Sequence, residues 1–116
     1  MFKILLFFLY IIPSIFALRP PQIVPFSARV IIERDETFVL TCSLSQGSKP
    51  ITFKWLRNGL NLSSDSSISI DSKLSSSTLT FLKIDLKHSG NYSCLASNSY
   101  GNDLSSILLQ IKGNGR

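Results

Sequence analysis

Two cysteines, a single tryptophan and the run Ser89-Gly90-Asn91-Tyr92-Ser93-Cys94 constrain this chain more than anything else in it. Cys42 lies inside an alternating apolar stretch, Trp55 follows thirteen residues later, and Cys94 stands fifty-two residues beyond Cys42 with Tyr92 two positions before it. Two unrelated free thiols would require that spacing, the lone indole and the tyrosine to coincide by accident. Around these residues the chain alternates apolar and polar positions over short runs broken by turn residues, which predicts an all-β fold of two stacked sheets.

Met1–Ala17 reads as a secretory signal peptide, with Lys3 as the positive start, Ile4 to Ile12 as the apolar run, and Pro13-Ser14 breaking that run before the small residue Ala17. The run is too short, and too soon cut by proline, for a membrane anchor. No later stretch approaches the ~18 apolar residues of a span, so the mature chain is expected to be soluble and exported. Export supplies an oxidising compartment, and two cysteines fit one bridge. Residues 18–112 are expected to form one domain, with 113–116 a flexible end or the start of a linker. With 44% hydrophobic residues that domain can bury a core of its own. The formal charge of +5 is dispersed over residues such as Arg29, Lys54, Arg57, Lys73, Lys83 and Lys87. Without a basic run it predicts a solvated surface and no nucleic-acid partner.

Taken in order, Arg19–Phe26 is an extended entry whose prolines belong on a sheet edge, and Pro25 marks a jump from one sheet to the other before Ala28–Ile32. Thr37–Leu44 alternates, with Phe38, Leu40, Cys42 and Leu44 inward. Ile51–Arg57 turns Ile51, Phe53 and Trp55 inward and ends at Asn58-Gly59, a two-residue hairpin signal because both positions need positive φ. A short strand near Leu60–Leu62 follows, then Ser67–Asp71, Thr78–Leu82, Asn91–Ser97 and Ser105–Ile111. Asn98–Asn102 is expected as the last turn. No helix longer than a turn is expected.

With those residues set out, the chain resembles an intermediate-set (I-set) immunoglobulin domain: a Greek-key, two-sheet β-sandwich with one inter-sheet disulfide, Cys42–Cys94. The resemblance implies that Trp55 packs on the bridge and that the Tyr92 hydroxyl reaches back to the backbone as a tyrosine corner. The opening Pro-Pro-Gln-Ile-Val-Pro-Phe, the Phe-Lys-Trp-Leu-Arg-Asn-Gly turn and the His-Ser-Gly-Asn-Tyr-Ser-Cys strand are most similar to the Down syndrome cell adhesion molecule family of arthropods. That family implies a cell-surface recognition protein, often homophilic, acting in neuronal self-avoidance, axon guidance or immune recognition. Two departures stand out. His88 occupies the place of the usual aspartate, and no arginine starts the strand at Asp65-Ser66-Ser67-Ile68, so both halves of the family's ion pair are missing together. The chain also carries one domain, whereas the family carries many and a membrane span. The expectation is an amino-terminal fragment of such a receptor, the alternative a secreted single domain.

Catalysis, metal binding and nucleotide binding find no support. His88 is the only histidine, both cysteines are committed, and no glycine-rich phosphate loop precedes a helix. No cofactor, small-molecule substrate or enzymatic activity is expected, and His88 is expected to fill a corner position only. Asn61-Leu62-Ser63 and Asn91-Tyr92-Ser93 are N-glycosylation sequons. The expected function is adhesion or recognition at the extracellular face of the plasma membrane or in secreted form, with the same or a related immunoglobulin-domain protein as partner. Two alternatives remain, a secreted ligand-binding or antagonist domain and a structural spacer. Two surfaces are candidates for the contact. One is the sheet face carrying Leu56, Leu95 and Leu108, which also presents Asn91. The other, favoured because it is flat, small-residued and free of sequons, carries Val39, Thr41, Thr78, Thr80, Ser67 and Ser69.

Overall fold

A computed structural model describes residues 18–113; the signal peptide expected at Met1–Ala17 lies outside the described residues, as do 114–116. Nine strands, β1 (Gln22–Ile23), β2 (Arg29–Glu33), β3 (Phe38–Gln46), β4 (Thr52–Arg57), β5 (Leu60–Asn61), β6 (Ile68–Ser72), β7 (Ser76–Phe81), β8 (Gly90–Asn98) and β9 (Gly101–Lys112), form two sheets. One sheet has the order β1-β3-β7-β6 and the other β2-β9-β8-β4-β5. A single 3-10 turn, η1 (Leu86–His88), lies between β7 and β8. The chain is the expected all-β immunoglobulin-like sandwich.

The alternation of the sequence decides which side of each strand is buried. Leu40 and Cys42 on β3, Leu79 and Phe81 on β7, Tyr92, Cys94 and Ala96 on β8, and Ile107, Leu109 and Ile111 on β9 all face the space between the sheets. Cys42 and Cys94 are joined as a disulfide with their Cα atoms 6.4 Å apart, tying the two sheets together. Trp55 packs in the same core, stacked on Phe26 at 6.2 Å between ring centroids. Its indole N–H donates to Ser77 Oγ at 2.8 Å, and Ser77 in turn bonds Ser72 Oγ at 2.8 Å. A buried indole N–H without that partner would cost about 1–3 kcal/mol, which accounts for a serine at a fully enclosed core position.

The first strand is split. β1 pairs antiparallel with β3 and β2 pairs parallel with β9, so the chain changes sheets between Ile23 and Arg29, across Pro25. The hairpin at Asn58-Gly59 has positive φ at both residues, 50° and 81°, as a two-residue turn of this hand requires.

Most strand ends shift by one or two residues from expectation: β3 runs on to Gln46, β7 begins at Ser76, not Thr78, and ends at Phe81, and β8 extends from Gly90 to Asn98. Two of the shifts have a clear physical cause. β9 begins at Gly101, not Ser105, and it pairs with β8 down to Asn98–Gly101, leaving only Ser99 and Tyr100 as the turn. The apolar alternation is silent there because the inward positions are polar: Asp103 Oδ2 accepts from the Ile23 N–H at 2.8 Å and Ser105 Oγ from the Phe26 N–H at 3.0 Å. These side chains satisfy the backbone of the segment that switches sheets. β6 begins at Ile68, not Ser67, because Ser67 belongs to the turn that leads into it.

Candidate functional site

The end of the sandwich around η1 gathers the buried histidine and most of the charged side chains that bond the backbone. Tyr92 is fully buried and its hydroxyl donates to the His88 carbonyl at 2.6 Å, closing the corner between β7 and β8. Its ring meets Phe81 edge-on at 5.4 Å. Burial pushes the phenol pKa upward, partly offset by the Arg57 guanidinium 5.8 Å from the ring centroid. Arg57, at the end of β4, donates to the carbonyls of Lys87 and Ser89, the latter at 2.9 Å. One cation from the neighbouring strand therefore braces the corner.

His88 completes the arrangement from inside. It is 3% exposed, its ring lies edge-on to Phe81 at 5.2 Å, and its Nδ1 accepts from the Asp85 N–H at 2.9 Å. Asp85 returns the cap by accepting from the Leu86 N–H at 2.8 Å, and it pairs with Arg34 at 3.1 Å. Burial holds the imidazole pKa below its ordinary value, reinforced by Lys87 and Arg57. Asp85 is held below the usual carboxylate value, first by the Leu86 N–H and then by Arg34. Asp65, across the corner, accepts from the Ser67 and Ile68 N–H groups and the Ser67 hydroxyl, which lowers its pKa in the same sense. Arg57, Asp65, Lys87 and His88 line a cleft of about 220 Å³. Among the described residues no three His, Cys, Asp or Glu side chains converge on a metal-sized site.

The two outer faces are the remaining candidates. On the four-stranded sheet, Val39, Thr80 and Ser69 form one row across β3, β7 and β6, and Thr41, Thr78 and Asp71 the next. Ser67 is not part of the strand pairing; it is held by Asp65 and offers its carbonyl to the Leu82 N–H at 3.0 Å. The sequence-based list omitted Leu82 and Asp71. Leu82 is 56% exposed and continues the outward parity of Thr78 and Thr80 beyond β7, beside Val39 at 52%. That parity was the signal that could have found it.

On the five-stranded sheet, Asn91 and Asn61 are exposed, while Leu56 and Leu95 are half-buried diagonal neighbours. Leu108 is cross-strand from Asn91. Leu104, 53% exposed and opposite Leu95, belongs to the same face and was missed because β9 begins earlier than expected. The Ser93 hydroxyl of the second sequon is hydrogen-bonded to Ser106 Oγ at 2.7 Å.

A disulfide-pinned sandwich with a tyrosine corner and a split first strand defines the immunoglobulin fold. Residues 20–98 match the family described as immunoglobulin domain, and the chain belongs to that family. It is similar to the cell adhesion molecule Dscam2 of Drosophila melanogaster, with 37% identity over 93 residues, covering 74% of this chain and 4% of Dscam2. It is 36% identical over 80 residues to human cell adhesion molecule DSCAML1, covering 69% of this chain and 4% of that protein. The crystal structure of the Dscam1 Ig7 domain, isoform 5, superposes with a TM-score of 0.74 at 26% identity, over 80% of this chain and 97% of that one. The chain spans about 4% of the length of the curated relatives it matches.

Proposed function

We propose that this immunoglobulin domain is an extracellular recognition module, the amino-terminal part of a multi-domain cell-surface receptor. It binds a second copy of itself, or a related immunoglobulin domain, through the outer face of the four-stranded sheet. Its relatives are cell adhesion molecules, which supports the general class. The observation that carries the choice of face is the exposed pair Val39 and Leu82, set among Ser69, Thr78 and Thr80. Small side chains leave the sheet flat enough for another flat sheet to approach, and two exposed apolar side chains at one end of a hydroxyl-rich face join apolar and polar surface as a protein interface does. A twofold pairing would apply the same patch of both copies to each other, so that every contact from Val39 of one copy to the other is made twice.

The test is a sugar planted in the middle of the face: Thr80→Asn with Leu82→Thr creates an acceptor on β7 without touching the core. Displayed on beads, the wild-type domain is expected to aggregate them, and the glycosylated variant, secreted and folded, to leave them dispersed. Aggregation that survives the added sugar removes this face from consideration.

A further inference from the structure

We propose that N-linked sugars on Asn61 and Asn91 both lie on the outer face of the five-stranded sheet, where they cover its leucines and close that face to protein partners. The inference rests on the extracellular reading above. Directly opposed residues of neighbouring strands point to the same side of a sheet, with Cβ atoms about 4.5–5.5 Å apart. Asn91 is opposed to Leu108 on β9, and Asn61 to Leu56 on β4. Each sequon asparagine therefore has a leucine as its immediate cross-strand neighbour on one common face. With strands ~4.8 Å apart and ~3.4 Å per residue, the two asparagines are separated by roughly 12 Å, and the Leu95–Leu104 pair lies roughly 14 Å from Asn91. Leu104 and Leu108 are 53% and 38% exposed, so the face carries apolar area that protein atoms leave open.

The chemistry of the sugar suits this surface. N-acetylglucosamine presents ring C–H groups and an acetyl methyl on its faces and hydroxyls at its rim. The sheet presents leucines alternating with Lys54, Ser106 and Arg29 in adjoining positions. The opposite sheet contains no sequon. In the transfer, the asparagine Nδ2 bonds to the anomeric carbon of a lipid-pyrophosphate-linked oligosaccharide. The bond from that carbon to the phosphate oxygen breaks, the amide gives up one proton, and the lipid pyrophosphate leaves. Ser93 is only 7% exposed in the folded domain, so Asn91 must be modified while β8 is still an open chain.

The experiment compares the full chain secreted from glycosylating cells with its Asn61→Gln/Asn91→Gln variant, both diluted until monomeric. Glycopeptide mass mapping is expected to show both asparagines occupied in the wild type. Hydroxyl-radical footprinting is expected to show Leu104 and Leu108 protected in the wild type and unprotected in the variant, with Val39 and Leu82 on the other sheet labelled equally in both. Should the variant fail to be secreted, enzymatic removal of the sugars from folded wild-type protein gives the same comparison. An unoccupied asparagine in the secreted wild type, or equal labelling of Leu104 and Leu108 with and without sugar, overturns the proposal. Neither result depends on self-association, so the adhesion reading stands or falls separately by the bead assay.

Discussion

The Cys42–Trp55–Cys94 centre and the η1 corner hold the same two sheets by different physics. At the centre a covalent bond, an indole and aliphatic side chains exclude water, and the polar contacts form one short chain from Trp55 through Ser77 to Ser72. At the corner the contacts are directional and polar: a tyrosine hydroxyl on a carbonyl, a guanidinium on two more, and an imidazole capping one backbone N–H. A centre built of volume and a covalent link tolerates little chemical variation. A corner whose task is to bond a few backbone groups can be built from several combinations of donors and acceptors. Here Arg57 arrives from β4 and His88 caps from within.

Breaking the centre has the largest expected effect. Cys42→Ala with Cys94→Ala releases a loop spanning 52 residues, and the unfolded chain regains about 4 kcal/mol of entropy by the loop-closure account. Chemical denaturation of the double variant is expected to show a midpoint far below the wild type; a midpoint within experimental scatter of it would mean that the bridge is dispensable. Next comes the corner. Tyr92→Phe keeps the ring against Phe81 but leaves the His88 carbonyl without its donor, an expected destabilisation of about 1–2 kcal/mol. The same measurement checks it, and an unchanged midpoint would show that Arg57 alone secures the corner.

The smallest effect is a pH dependence that separates the two regions, since the centre contains nothing that titrates near neutrality. The folded imidazole of His88 has a pKa below its unfolded 6.5. The unfolded chain therefore binds the proton more readily, and stability is full above pH 6.5 and falls as pH drops toward the folded value. Asp65 and Asp85, held below 3.8 in the fold, act only later: their contribution is present above 3.8 and is lost as pH falls further. Thermal melts of the wild type are expected to decline in both windows. His88→Gln, whose side-chain oxygen can still accept from the Asp85 N–H, is expected to lose the first decline and keep the second. An identical first decline in the variant would assign it to another group.

The sequence by itself determined the sandwich, and it did so through features that depend on volume and period. Cys42, Trp55, Tyr92 and Cys94 lie at fixed spacing on alternating strands, and Asn58-Gly59 has the backbone freedom its turn needs. Parity settles which side each residue faces once a strand is located, so the outward placement of Val39, Thr80, Asn91 and Leu95 was legible as well. Parity was lost where polar residues faced inward. Asp103 and Ser105 hid the first four residues of β9, and Leu104 with them, because their partners are N–H groups some eighty residues away in sequence. The turn at Asp65 hid the true start of β6, since an Asx turn is recognised by its bonds and not by its composition. The corner was legible only as an absence. That Arg57 braces the corner is a matter of where the end of β4 lies relative to η1, and a distance between segments thirty residues apart exists only once the chain has folded.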